Sequence, residues 1–144
     1  MVKDHVSEAW EMFASGFSCS QAILGTFCEE YGLPKDVALR IASPFGGGFG
    51  GLGRTCGALT GAMMVVGLKY GASKSNDPDA KALTKQKTQE LVETFEREHG
   101  TCMCSELIGN AYGADRQGLE KHSVIMNTCP KFLETVIIYL EEEL

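Results

Sequence analysis

Apolar residues in this chain recur three and four positions apart, and in no segment do they alternate with polar ones. Three-and-four spacing lines one face of a helix, whereas a half-buried strand alternates. Val6, Ala9, Trp10 and Phe13 carry the pattern in a first segment, about Asp4 to Ser15, which Gly16 ends. Ser18 and Gln21 then make a Ser-x-x-Gln capping box, followed by Ala22, Ile23 and Phe27, with Gly32 closing the segment. A short helix over about Pro34 to Ala42 has proline in its first turn. Asp77-Pro78 opens a long polar helix to about His99, with Leu83, Leu91, Val92 and Phe95 as its stripe and Gly100 as its stop. A short helix from about Ser105 to Asn110 and a loop over Tyr112 to Lys121 follow. The last helix is expected to start near Pro130 and carries Phe132, Leu133, Val136, Ile137 and Leu140. No Asn-Gly or Asp-Gly hairpin dipeptide occurs. The expectation is an all-α protein, one domain over residues 1–144, built as a bundle of about six helices.

One segment breaks the pattern. Residues 44–53, Pro-Phe-Gly-Gly-Gly-Phe-Gly-Gly-Leu-Gly, hold six glycines in ten positions and must form a loop with positive φ or a very close approach. Thr55 is placed to cap the helix that follows, which runs to about Tyr70. That helix is apolar nearly all round, so it belongs at the centre of the bundle. Gly57, Ala58, Gly61 and Ala62 give it a small-residue face for close helix packing.

Charge and hydropathy narrow the function. A net charge of −6 with no basic cluster argues against nucleic acid, whose phosphates are met by Lys and Arg. Lys81, Lys85 and Lys87 sit among acids and read as a solvated helix face. The longest apolar run, Ala58 to Leu68, is too short to span a bilayer, so no membrane is expected. The first residues have no apolar core of a signal peptide, and the expected compartment is the cytoplasm. Stable disulfides are rare there, so cysteines more often bind metal or cycle their redox state.

The six cysteines are Cys19, Cys28, Cys56, Cys102, Cys104 and Cys129. On this reading four stand at helix starts. Cys19 follows Ser18, Cys56 follows Thr55, Cys104 precedes Ser-Glu-Leu-Ile, and Cys129 precedes Pro130. A helix N-terminus offers unpaired N–H groups and about half a positive charge, which favours the thiolate, both nucleophile and metal ligand. Four of six cysteines so placed point to one shared site, with the amides of Gly50, Gly51 and Gly53 offered to its negative charge. Cys28, in the body of a helix, reads as core.

Other signals carry less. Gly48-Phe49-Gly50-Gly51-Leu52-Gly53 matches Gly-x-Gly-x-x-Gly, but Pro44-Phe45 is no strand and residues 70–76 hold no acid. Neither nicotinamide nor flavin is expected. There is no Cys-x-x-Cys-His, so no covalent haem is expected either. His5, His99 and His122 are scattered and read as surface or cap residues. Zinc would suit four cysteines in a closed site, and iron–sulfur clusters use the same ligands at more variable spacings.

Taken in order, Cys19-Ser-Gln-Ala, the glycine-rich loop, Cys56-Gly-Ala-Leu-Thr-Gly, Cys104-Ser-Glu-Leu-Ile-Gly and Cys129 resemble the redox-active family named for the pattern C_GCAxxG_C_C. The chain departs from that pattern by reading Cys-Gly-Ala-Leu-Thr-Gly where the name has Cys-Ala-x-x-Gly. The resemblance covers about Phe17 to the last helix and implies that Cys19, Cys56, Cys104 and Cys129 are the redox thiols and metal ligands. A related helical domain attached to a multihaem cytochrome is thought to hold an iron–sulfur cluster. The expected function is electron transfer with a redox partner protein, through a four-cysteine iron–sulfur cluster or reversible disulfides. A structural zinc module or a purely partner-binding helical protein is the alternative. The Ala58 to Leu68 helix and the last helix also suit a homodimer surface, although a buried core explains them equally well.

Overall fold

The computed structural model describes residues 4–109 and 119–144, with the side chains of 119–122 excepted. These residues form seven α-helices: α1 His5–Ala14, α2 Cys19–Phe27, α3 Lys35–Ala42, α4 Gly57–Tyr70, α5 Pro78–His99, α6 Cys104–Ile108 and α7 Leu119–Glu143. Single 3-10 turns, Cys28–Tyr31 and Ser43–Phe45, extend α2 and α3. The fold class is all-α, and among the described residues the one extended pairing is an isolated bridge between Thr55 and Met103.

Local chemistry sets the helix ends. Asp4 accepts from the Ser7 amide at the start of α1, and Asp77 accepts from Ala80 at the start of α5. At α2 the capping box is complete: Ser18 accepts from the Gln21 amide while the Gln21 side chain accepts from the Ser18 amide. Gly100 ends α5 in the left-handed region. Pro34 stands just before α3, whose first residue is Lys35.

One core gathers side chains from six of the seven helices before α7 completes it with Leu133, Val136, Ile137 and Leu140. Helix α4 lies at its centre, with Ala58, Leu59, Ala62, Val65 and Val66 fully buried. It packs on α2 through its glycines. A Cβ at Gly61 would stand 2.9 Å from both the Ser20 carbonyl oxygen and the Ile23 Cβ, so only glycine lets the two backbones come this close. No helix among the described residues is long and apolar enough to cross a membrane.

Three expectations are corrected. Thr55 does not cap α4; Cys56 occupies that position, and Thr55 is committed to the bridge with Met103. The last helix begins at Leu119, so Pro130 and Cys129 lie inside it. Proline costs about 3 kcal/mol in a helix interior, but the apolar stripe Ile125, Cys129, Phe132, Val136, Leu140 runs through it and holds the two halves on the same core. The Trp10 indole N–H also donates to the Pro130 carbonyl at 3.1 Å. Finally, Lys87 is not a solvated face residue: it is drawn onto Glu143 at 2.8 Å and lies over the Tyr70 ring. Of the expected loop over Tyr112 to Lys121, residues 112–118 lie outside the described residues, and 119–121 belong to α7.

Candidate functional site

Each of four cysteines reaches one place by a different local device. The capping box fixes the first turn of α2, and Cys19 is its first residue. The glycine-rich loop then touches that start, since a Cβ at Gly46 would stand 2.6 Å from the Ser18 Cβ. Beyond Gly46 the chain runs through five consecutive positive φ values, 60° to 79°, from Gly47 to Gly51, with Phe49 the one non-glycine. A left-handed run of this length costs an L-residue about 1–2 kcal/mol per position, which is why it is written in glycine.

The loop delivers residues 53–56 against residues 102–105. The Cys104 amide donates to Arg54 at 2.6 Å, Ser105 to Gly53 at 3.0 Å, and Cys56 to the Cys102 carbonyl at 2.8 Å. Cys56 at the start of α4 and Cys104, the first residue of α6, are thereby held to one short ribbon. Cys129 arrives from the interior of α7.

The four thiols line a single cavity of about 130 Å³, together with Phe13, Ser18, Gly47, Gly57, Leu107, Ile108, Ile125 and Phe132. No lysine, arginine, histidine or carboxylate is among these lining residues. Cys56, Cys104 and Cys129 are buried and Cys19 is half-buried. No disulfide joins any of the six cysteines. Among the described residues no three His, Cys, Asp or Glu side chains are grouped tightly enough to hold a single metal ion.

Electrostatics separate the four. The Cys19 thiol donates a hydrogen bond to the Cys129 sulfur. That bond holds the Cys19 proton well above the ordinary thiol range, with burial adding to it, and it draws Cys129 below that range against its own burial. Burial pushes the Cys56 thiol up to about 12, while the N–H groups of Ala58 and Leu59 in the first turn of α4 pull the other way. The helix start therefore acts as expected in sign, but desolvation outweighs it at Cys56. Cys129, whose thiol is lowered, does not stand at a helix start.

One further expectation is revised by the geometry. The amides of Gly50, Gly51 and Gly53 are spent inside the loop, on the carbonyls of Pro44, Gly46 and Gly47. They are not offered to the thiols; the glycines that line the cavity are Gly47 and Gly57. The apolar wall, Phe13, Leu107, Ile108, Ile125 and Phe132, was not singled out from sequence. Its signal was present in part, since Ile125, Cys129 and Phe132 share one helical stripe.

The remaining candidates lie elsewhere. Cys28 is fully buried in the core and its thiol donates to the Gly25 carbonyl. Cys102 is half-buried outside the cavity, its thiol raised by burial and by the Glu96 charge. His5 bridges Glu30 and Glu141 and stacks on Phe27. His99 contacts Thr135 at 2.8 Å and packs edge-on against Phe132, behind the cavity wall. The side chain of His122 lies outside the described residues.

The family model described as "Putative redox-active protein (C_GCAxxG_C_C)" matches residues 17–143. No curated protein and no solved structure matches the chain.

Proposed function

The chain belongs to the C_GCAxxG_C_C redox-active protein family, and from that premise we propose that it transfers electrons through an iron–sulfur cluster held by Cys19, Cys56, Cys104 and Cys129. The observation that carries this reading is the convergence of four thiols, from four separate helices, on one apolar cavity. The donor chemistry fits, because iron–sulfur clusters are held by four cysteine thiolates at variable spacing. The volume fits as well. A single tetrahedral zinc draws its sulfurs to about 2.3 Å from one point, whereas here the four thiols share the lining of a cavity of about 130 Å³ with eight other residues.

Such a cluster supplies one-electron chemistry when bound. The chain's own residues do the rest. Phe13, Phe132, Ile108 and Ile125 keep water from the sulfurs, and the two amides of the first turn of α4 face Cys56. Among the described residues the wall carries no cationic side chain, and an apolar wall of this kind favours a low reduction potential. In the absence of a cluster the same thiols would cycle through disulfides. A reducing compartment such as the cytoplasm suits both states, and a redox partner protein would supply or accept the electron.

The test is iron and acid-labile sulfide analysis, with a visible spectrum, on protein prepared without oxygen. Iron and sulfide in equal amounts support the proposal. Bound zinc with no visible absorption and collapse on chelation would establish a structural zinc module instead. Slow labelling of all the thiols, with no metal and no reversible oxidation, would leave a purely structural protein.

A further inference from the structure

We propose that electrons enter and leave the site at Trp10, and that this ring is the contact for a one-electron redox protein with a basic face. The proposal rests on the electron-transfer reading given above.

The thiols line a cavity walled by apolar side chains, with Cys56, Cys104 and Cys129 buried. An electron must therefore cross protein to reach them, and tunnelling favours a route through bonds over one through open space. Among the described residues three aromatic rings stand exposed: Trp10 at 41%, Phe17 at 37% and Phe49 at 39%. Of the three only Trp10 carries a hydrogen-bond donor, and that donor is spent beside a cavity thiol. The indole N–H reaches the Pro130 carbonyl at 3.1 Å, and Pro130 is joined directly to Cys129. One hydrogen bond and the backbone of one proline thus connect an exposed ring to a thiol of the site. Phe13 stands three residues further along α1, on the face it shares with Trp10, and it lines the cavity. The route from Phe17 to Cys19 has no such shortcut and runs along the backbones of Phe17 and Ser18. Phe49 follows Gly47 of the cavity wall, which bears no thiol.

Charge around the ring selects the partner. Helix α1 carries Glu8 and Glu11 and no lysine or arginine. From Pro130 onward, α7 carries Glu134 and Glu141 to Glu143 against Lys131 alone. Glu8 is met by Lys35 at 3.2 Å, whereas Glu11, the residue after Trp10, is exposed. With a net charge of −6, this surface steers a basic partner toward the ring at low salt. Tryptophan is also the side chain most suited to anchor a small protein contact.

The probe is a basic c-type cytochrome, used with the full chain. In the exchange one electron passes from the reduced site to the ferric haem, which becomes ferrous; no bond forms or breaks and no proton moves. The first readout uses the metal-free, reduced chain and needs no cluster. The sequence has one tryptophan, so its indole N–H gives a single NMR signal. That signal should shift when ferrous cytochrome is added and return as salt is raised. The second readout is stopped-flow oxidation of the loaded chain by ferric cytochrome. Trp10→Leu should lower the second-order rate constant about tenfold or more, with iron content, visible spectrum and reduction potential unchanged. Trp10→Phe, which keeps a ring and loses the donor, should fall between the two, and Phe17→Leu should match the parent. An indole signal that stays in place, a rate that both Trp10 variants leave unchanged, or an equal loss in Phe17→Leu overturns the proposal. So does loss of the cluster or a moved potential in both Trp10 variants, which would make the ring structural. A chain that takes up neither iron nor sulfide refutes the electron-transfer reading instead, and the indole signal still decides whether Trp10 is the contact.

Discussion

Gly61 and Gly67 stand on the same helix and test how the α2–α4 contact sets the site. In Gly61→Ala the new methyl meets the Ser20 carbonyl oxygen and the Ile23 Cβ at 2.9 Å, and the Ser20 Cα at 3.2 Å. Carbon contacts are comfortable at about 3.5–4.0 Å, so α2 must retreat by more than half an ångström. Two of these three atoms are backbone, and no rotamer change relieves them. In Gly67→Ala the methyl meets nothing within 4 Å. Both changes gain the same helix propensity, about 1 kcal/mol, which cancels when the variants are compared. What remains is the overpacking cost, about 1–3 kcal/mol. Gly67→Ala should therefore be more stable than the parent by up to about 1 kcal/mol, and Gly61→Ala should lie about 1–3 kcal/mol below Gly67→Ala. Urea unfolding of the reduced, metal-free proteins measures both. Because α2 carries Cys19, Gly61→Ala should also weaken cluster retention, and Gly67→Ala should not. Equal shifts for the two variants would refute the close-packed α2–α4 contact.

Cysteine labelled with carbon-13 at Cβ and followed by NMR through a pH titration should show Cys129 titrating before Cys56; the reverse order would contradict the hydrogen bond from Cys19. Phe132→Ala removes a buried ring packed on Phe95 and His99 and lining the cavity, and should cost about 3–5 kcal/mol in denaturant unfolding. Burial holds the His99 imidazole below its ordinary value, so the unfolded chain takes the proton first. Stability contributed by neutral His99 is then full above about pH 6.5 and is lost as pH falls toward the lower folded value. The drop in urea midpoint between pH 7.5 and 5.5 should shrink in His99→Gln, and an unchanged drop would contradict the shift.

Periodicity made the helices legible, because three-and-four spacing and caps are local properties of the chain. The capping box at Ser18, the start at Asp77 and the stop at Gly100 all stand where local chemistry puts them. Pro130 misled for the same reason: local propensity ends a helix there, but burial along the Ile125 to Leu140 stripe overrides it. The four thiols were legible through their order in the chain. Their chemistry was not, because burial decides it, and burial is a tertiary property. Cys56 has the helix start that favours a thiolate and is nevertheless pushed up to about 12, mainly by its apolar surroundings. The glycine loop was recognised as a loop, yet its amides turn inward onto its own carbonyls. Only the backbone path, a left-handed run from Gly47 to Gly51, shows that Gly50, Gly51 and Gly53 spend their amides on the loop's own carbonyls.

The central claim is that four named cysteines act together and two do not. It is tested most directly by six single Cys→Ser variants, each prepared without oxygen and assayed for iron, sulfide and visible absorption. The account predicts loss of the cluster in Cys19→Ser, Cys56→Ser, Cys104→Ser and Cys129→Ser, and its retention in Cys28→Ser and Cys102→Ser. A cluster that survives loss of any cavity thiol, or that depends on Cys102, would contradict it.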